Sequence, residues 1–189
     1  MVTRSIYRIV EETAPLIVFY AIIGLITGSI LGGIVNEIEL LPGLLILIPP
    51  LLDMRGGIGS TLGARLSSAL HLGYVKPDKT TKCLKINIYS SLILSLFMSV
   101  ILGIFAWVSC MLTGLMCVSF TTFLIISVIA GFSSGVVLTF VAIFIVRISY
   151  KKGLDPDDVT APSIGTLGDM ITIICLLLAI KLVLILGLI

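Results

Sequence analysis

The stretch PPLLDMRGGIGSTLGARLSSALHLG, residues 49–73, opens with two prolines and carries one aspartate, two arginines and five glycines. It lies in a chain of 189 residues of which 58% are apolar and only 12% are Asp, Glu, Lys or Arg. Soluble domains carry roughly 25% charged residues, so this chain has too few charges to cover a water-soluble fold. The composition predicts an all-α integral membrane protein in which this polar stretch stands where a membrane span is expected.

Hydropathy predicts five transmembrane helices in a single domain that fills residues 1–189, since several apolar runs approach or exceed the roughly 20 residues that cross a bilayer. The predicted spans are residues 14–35, 40–72, 86–112, 118–148 and 160–186. Basic residues precede the first span, fill the second connection and follow the fourth span. Because Lys and Arg are retained on the cytoplasmic side, we expect a multi-pass cell-membrane protein with its N-terminus inside. No basic run interleaved with aromatic residues indicates a nucleic-acid partner.

The second span contains several features that are unusual in lipid. Pro49 and Pro50 remove two backbone donors and predict an interruption of the helix. Glycines at 56, 59 and 63 recur at helical spacing, which indicates a helix–helix contact face. The same segment, Gly57 included, can also expose carbonyl oxygens to an ion, and the two interpretations are compatible. Asp53 is either neutralised by an arginine of another segment or belongs to an ion pathway, because ionisable groups at membrane depth are costly.

The fifth span opens with a second polar insertion, DPDDVTAPSIGTLGDMIT at 155–172, in which Pro162 predicts a further interruption. Asp169 lies near mid-membrane, and no basic residue occurs within ten positions of it. An unpaired carboxylate there has to be protonated, meet an arginine of another span, or meet a cation. The candidates for orienting water or presenting oxygen are its neighbours Gly165, Thr166 and Thr172. Asp157, in the preceding loop, is either simply solvated or raises the local cation concentration at an entrance.

The available ligand chemistry is that of a hard divalent cation, because carboxylates, hydroxyls and carbonyls are offered. Few anionic groups per chain favour Mg²⁺ as the transported ion, since it gives up its waters reluctantly and can be held through them. The four cysteines form no CxxC pair, and we expect free thiols, with a Cys110–Cys117 bridge as the single alternative. No nucleophile–base pair or metal-hydrolase spacing indicates an enzyme.

Two segments, GGIGSTLGARLSSALHLG at 56–73 and DPDDVTAPSIGTLGDMIT at 155–172, resemble the signature regions of the MgtE family of magnesium channels. They resemble more closely the MgtE-like solute carriers, which exchange or export magnesium in animals. The resemblance implies a divalent-cation pathway in which Asp169 holds a hydrated Mg²⁺. It also implies a pore built from second- and fifth-span residues of two five-span units, so a homodimer in the lipid bilayer is expected. Gly57 stands where the family usually has asparagine.

Three functions remain open from the sequence. The first is a divalent cation channel or transporter, and the second is a Na⁺- or H⁺-coupled divalent cation exchanger that uses Asp169 or Asp53 as its coupling group. The third is a non-transporting membrane assembly subunit whose glycines only pack helices.

Overall fold

The computed structural model describes residues 2–33, 35, 38, 40–75, 81–152 and 156–187, with side chains described from Ala14 onward except at Leu16 and positions 156–158. Across these residues the chain is all-helical. The helices are α1 (Val2–Gly33), α2 (Ile48–His71), α3 (Lys82–Thr113), α4 (Phe120–Lys151) and α5 (Pro156–Leu186), and a 3₁₀ turn at Leu44–Leu47 precedes α2.

Three segments of the described chain are long and apolar enough to cross a membrane, namely Lys82–Thr113, Phe120–Lys151 and Val159–Leu186. The apolar part of α1, Ile17–Gly33, is shorter, and α2 carries Asp53, Arg55 and Arg65. These helices confirm the expectation of an all-α membrane protein. The count of five spans and the inside position of the N-terminus stay predictions.

The helix ends follow from local side-chain chemistry. The Thr81 hydroxyl accepts a hydrogen bond from the Leu84 amide at 3.3 Å and begins α3. Gly114, with a φ of 70°, ends α3, because a left-handed residue favours glycine. Ser119 then caps α4 by accepting from the Thr122 amide at 3.2 Å.

The two prolines of the second span begin a helix and do not break one. Pro49 and Pro50 lie in the first turn of α2, which continues to His71. A proline costs little in a first turn, where its missing N–H would have had no intrahelical partner. The change of direction comes earlier, at Gly43 with a φ of 82°. Pro162 lies inside α5, which also continues, so neither helix contains the interruption that the sequence predicted.

Helix α2 occupies the centre of the bundle and contacts α3, α4 and α5. Helix α1 packs on α5, where the Tyr20 and Ser163 hydroxyls share a hydrogen bond. Two apolar cores lie along α2. One surrounds Leu47 and Leu51 at the start of the helix, and the other surrounds Leu62 and Leu66 towards its end.

Helices α3 and α4 pack along a seam of small residues that repeats every four positions on each helix. Ser91 and Thr139 share a hydrogen bond at 3.3 Å. A Cβ added to Gly135 would overlap Ser95, one added to Gly131 would overlap Ser99, and one added to Gly103 would come within 3.1 Å of Ser127. The four pairs are Ser91–Thr139, Ser95–Gly135, Ser99–Gly131 and Gly103–Ser127. Such small residues allow helix backbones to approach closely in membranes.

The connection between α3 and α4 is closed by a disulfide bond between Cys110 and Cys117. The turn at Gly114 brings their Cα atoms to 6.1 Å, within the range that a disulfide requires. The expectation of free thiols is therefore wrong for this pair and is confirmed for Cys83 and Cys175.

Candidate cation site

The candidate site lies where α2 turns an exposed polar face away from the bundle. Buried positions along α2 recur at helical spacing, and one buried stripe consists of Ile48, Leu51, Arg55, Gly59, Leu62, Leu66 and Leu70. The opposite face is exposed and carries small or polar residues, among them Asp53, Gly57, Thr61, Ala64, Arg65 and Ser68. A polar face on a central helix of a membrane bundle is expected to meet water or another protein surface.

Contacts at two glycines set the register between α2 and α5. A Cβ added to Gly59 would overlap Ile164, and one added to Gly63 would overlap Thr160. The residue number rises by four on α2 while it falls by four on α5, so the helices are antiparallel. Five positions beyond Ile164, the same register brings Asp169 level with Met54, beside Asp53. The two carboxylates proposed from sequence therefore lie at the same depth on neighbouring helices.

Asp169 is half-buried and makes no hydrogen bond or ion pair with any described residue. Its neighbour Gly168 faces inward, where an added Cβ would come within 3.4 Å of Leu138. Asp53 is exposed and is likewise unpaired within the described residues. The alternative in which an arginine neutralises one of these carboxylates is not found in the described part of the chain.

The other predicted oxygen donors differ in how available they are. The Thr166 hydroxyl donates a hydrogen bond to the Pro162 carbonyl at 3.1 Å. Gly165, the preceding residue of α5, is half-buried. The Gly57 carbonyl accepts from the hydroxyls of Thr61 at 2.7 Å and Ser60 at 3.2 Å.

Two further predicted donors are placed differently. Thr172 is 1% exposed and donates to the Gly168 carbonyl at 2.6 Å, so its hydroxyl has to turn away from this partner before it can reach an ion. Asp157 belongs to the first turn of α5, and its side chain lies outside the described residues.

Sequence reasoning missed the surroundings of Arg55. The guanidinium is 1% exposed and donates to the Ser95 and Ser99 hydroxyls of α3 at 2.8 and 3.4 Å. Two periodic signals in the sequence point to this arrangement. Arg55 falls on the same helical stripe as Leu51 and Leu62, and the serines of α3 recur every four positions.

The described residues hold no group of three or more His, Cys, Asp or Glu side chains that could bind a metal together. One chain thus offers Asp169 and Asp53 at one depth without a closed ligand cage.

The profile of the MgtE family, described as a divalent cation transporter, matches residues 48–179 of the chain. The chain belongs to the MgtE family. It is also 30% identical over 143 residues to mouse (Mus musculus) solute carrier family 41 member 3, covering 69% of this chain and 27% of that protein. It is 28% identical over 141 residues to human (Homo sapiens) solute carrier family 41 member 2, covering 68% of this chain and 23% of that protein. The chain therefore spans about a quarter of the length of these curated relatives.

The part matched by the MgtE profile begins at the first residue of α2 and ends within α5. It contains both Asp53 and Asp169, the polar face of α2 and the seam between α3 and α4. Membership of a transporter family agrees with the expectation that the chain is not an enzyme.

Proposed function

We propose that this chain moves a divalent cation, Mg²⁺ foremost, across the membrane along the exposed faces of α2 and α5. The observation that carries the proposal is Asp169, a half-buried carboxyl group in an apolar helix with no hydrogen bond or ion pair to any described residue. A carboxylate in such a place is costly unless a cation visits it. The exposed Asp53 at the same depth supplies a second anionic oxygen group.

The proposed pathway is completed by a second copy of the chain. Two-fold symmetry would set the exposed α2 and α5 faces of two chains against each other and bring four carboxylates to one depth. Mg²⁺ bound there through its waters needs few direct ligands, in agreement with the small number of donors in one chain. Family membership supports this homodimer, which we place in the cell membrane as a multi-pass protein with its N-terminus inside.

Reconstitution into liposomes tests the proposal. Mg²⁺ uptake is measured with an enclosed Mg²⁺ indicator for the native chain, for Asp169→Asn and for Lys181→Gln. The last variant is a control that also removes one charge from an exposed position on α5. A contact to a charged group is worth about 1.5–3 kcal/mol, so we expect Asp169→Asn to slow uptake by about tenfold or more, with Lys181→Gln close to native. Native rates in a well-folded Asp169→Asn variant would contradict the proposal.

The same experiment separates the two rival functions. An unpartnered carboxyl group can also carry a proton or bind Na⁺, as a coupled exchanger requires. Uptake that changes with an imposed Na⁺ or pH gradient therefore indicates exchange, and uptake that follows only the Mg²⁺ gradient indicates a channel. A non-transporting assembly subunit predicts no Mg²⁺ uptake, and a change in stability alone for Asp169→Asn.

A further inference from the structure

Arg55 is the one charged side chain on the buried stripe of α2, among the residues that the structure describes. Along α2 it lies between Met54, which belongs to one apolar core, and Leu62, which belongs to the other. Burying a charged group at this position therefore costs free energy, because its neighbours along the stripe are apolar.

The guanidinium links three helices. Its Nη1 donates to the Ser95 hydroxyl at 2.8 Å and its Nη2 to the Ser99 hydroxyl at 3.4 Å, both on α3. On α4 it lies against two glycines. A Cβ added to Gly135 would overlap Nη1, and one added to Gly131 would come within 3.4 Å of Nη2. Glycine at 135 leaves room for the planar group, and glycine at 131 leaves room for the Ser99 side chain that Nη2 contacts.

The serine cradle, formed by Ser95 and Ser99 of α3 with Gly131 and Gly135 of α4, does not neutralise the charge of Arg55. No described carboxylate pairs with Arg55, and its Nε is buried without a hydrogen-bond partner. Serine hydroxyls satisfy donors but bring no negative charge. Buried ionic groups of this kind add little to stability, and in some proteins they fix a single arrangement of packed helices.

We propose that Arg55 is a positioning residue that fixes the rotation of α2 about its axis. The fork of two donors fits the Ser95 and Ser99 hydroxyls in one orientation only, and that orientation turns Asp53, Gly57 and Thr61 to the exposed face. A rotation by one residue, about 100°, that carries Leu62 to the exposed position of Thr61 would also turn Asp53 to the half-buried position of Leu52. The role of the exposed face in ion transport rests on the proposed function, whereas the orientation of α2 does not.

Thiol labelling measures the orientation directly. Single cysteines are placed at Thr61, which is exposed, and at Leu62, which is 3% exposed, in a background with Cys83→Ala and Cys175→Ala. With Arg55 present, a water-soluble maleimide should label Thr61→Cys and leave Leu62→Cys protected. In Arg55→Met, which keeps the length and removes the fork, we expect labelling of Leu62→Cys to rise by about fivefold or more as α2 loses its fixed rotation.

Further variants guard against a loss of folding. Gly135→Ala places a methyl group where Nη1 lies and should raise Leu62→Cys labelling as Arg55→Met does. Gly28→Ala, where an added Cβ meets nothing within 4 Å, is the matched control and should leave labelling unchanged. Arg55→Lys keeps the charge and one donor, so it should restore part of the protection.

Mg²⁺ uptake by Arg55→Met and Gly135→Ala should show a half-saturating concentration raised severalfold, because Asp53 is no longer held on the exposed face of α2. Unchanged protection of Leu62→Cys in both variants overturns the inference, whatever the uptake. If the native chain shows no uptake while labelling shifts as described, the proposed function fails and the positioning role of Arg55 stands.

Discussion

Two glycines on α2 determine how closely it approaches α5. At Gly59 an added methyl group would overlap Ile164, and at Gly63 it would overlap Thr160. Both partners are branched at Cβ, so they have little rotamer freedom with which to move aside. We therefore expect Gly59→Ala and Gly63→Ala each to destabilise the protein by about 1–3 kcal/mol, as measured by denaturation in detergent.

Gly56 provides the matched control for this prediction. It lies on the same helix, and an added Cβ meets nothing within 4 Å. Gly56→Ala should keep native stability or gain slightly, because alanine favours the helix over glycine. Equal stability for Gly56→Ala and Gly59→Ala would show that α2 and α5 do not meet at these residues.

The residues that carry the proposed chemistry were accessible to sequence reasoning, and their partners were not. Asp169 stood out because a carboxylate far from any base is rare inside an apolar run. Arg55 was noticed as a charge, but only the fold shows that it faces Ser95, about 40 positions away in the chain. Local patterns give the cost of a buried group and its helical face. They do not give the distant residues that satisfy it.

At the scale of the elements, the connection between α3 and α4 depends on the Cys110–Cys117 bridge. Cys110 is fully buried, and a Cβ at Gly43 would overlap its sulfur, so the bridge also contacts the turn that leads into α2. The Val118 amide donates to the Pro42 carbonyl at 3.2 Å next to it. The end of α3, the beginning of α4 and the turn that leads into α2 therefore meet at this disulfide.

Removing the bridge should loosen that end of the bundle. By restricting the unfolded chain, a disulfide that closes a loop of this size stabilises the folded protein by about 2 kcal/mol. Its loss should therefore lower the melting temperature by roughly 4 °C or more in a chain of this length. The measurement compares Cys110→Ser/Cys117→Ser with Cys83→Ser in detergent, with and without reductant. Reductant should lower the melting temperature of the native chain and of Cys83→Ser, and leave the bridgeless variant unchanged. A native chain that melts at the same temperature in both conditions would contradict a structural role for the bridge.

The positions of the helices could largely be predicted from the sequence, because long apolar runs indicate membrane-spanning helices. The predicted third span, 86–112, lies inside α3 (Lys82–Thr113), and the predicted fourth span, 118–148, overlaps most of α4 (Phe120–Lys151). The prediction that Pro49, Pro50 and Pro162 interrupt their helices was wrong. Proline either breaks a helix or begins one, and the residues around Pro49 do not reveal that the chain has already turned at Gly43.

For the whole molecule, the charge pattern and the disulfide make one joint prediction about orientation. The connection after α2 is rich in lysine, and the connection after α3 carries a disulfide. Lysine is retained on the cytoplasmic side, and disulfides persist on the oxidising side. We therefore expect opposite faces for the two connections, as a single crossing by α3 requires.

Exposed residues at the two connections allow a direct test. Tyr74 and Leu115 are both exposed, and each is changed to cysteine in the background that lacks Cys83 and Cys175. In intact cells, a membrane-impermeant maleimide should label Leu115→Cys and spare Tyr74→Cys until the cells are lysed. Labelling of both residues in intact cells, or of Tyr74→Cys alone, would contradict the N-inside topology.

The serine cradle around Arg55 also constrains the order of assembly. During synthesis α2 leaves the ribosome before α3 and α4 exist, so its guanidinium enters the lipid environment ahead of Ser95, Ser99 and the glycines of α4. An arginine without hydrogen-bond partners is costly in hydrocarbon, and the three described helices that are long and apolar enough to cross a membrane do not include α2. We therefore expect α2 to stay at the translocon or the bilayer surface until the hairpin of α3 and α4 has been made. A ribosome-stalled chain that ends before α4 should accordingly hold Thr61 and Leu62 equally open to a water-borne probe.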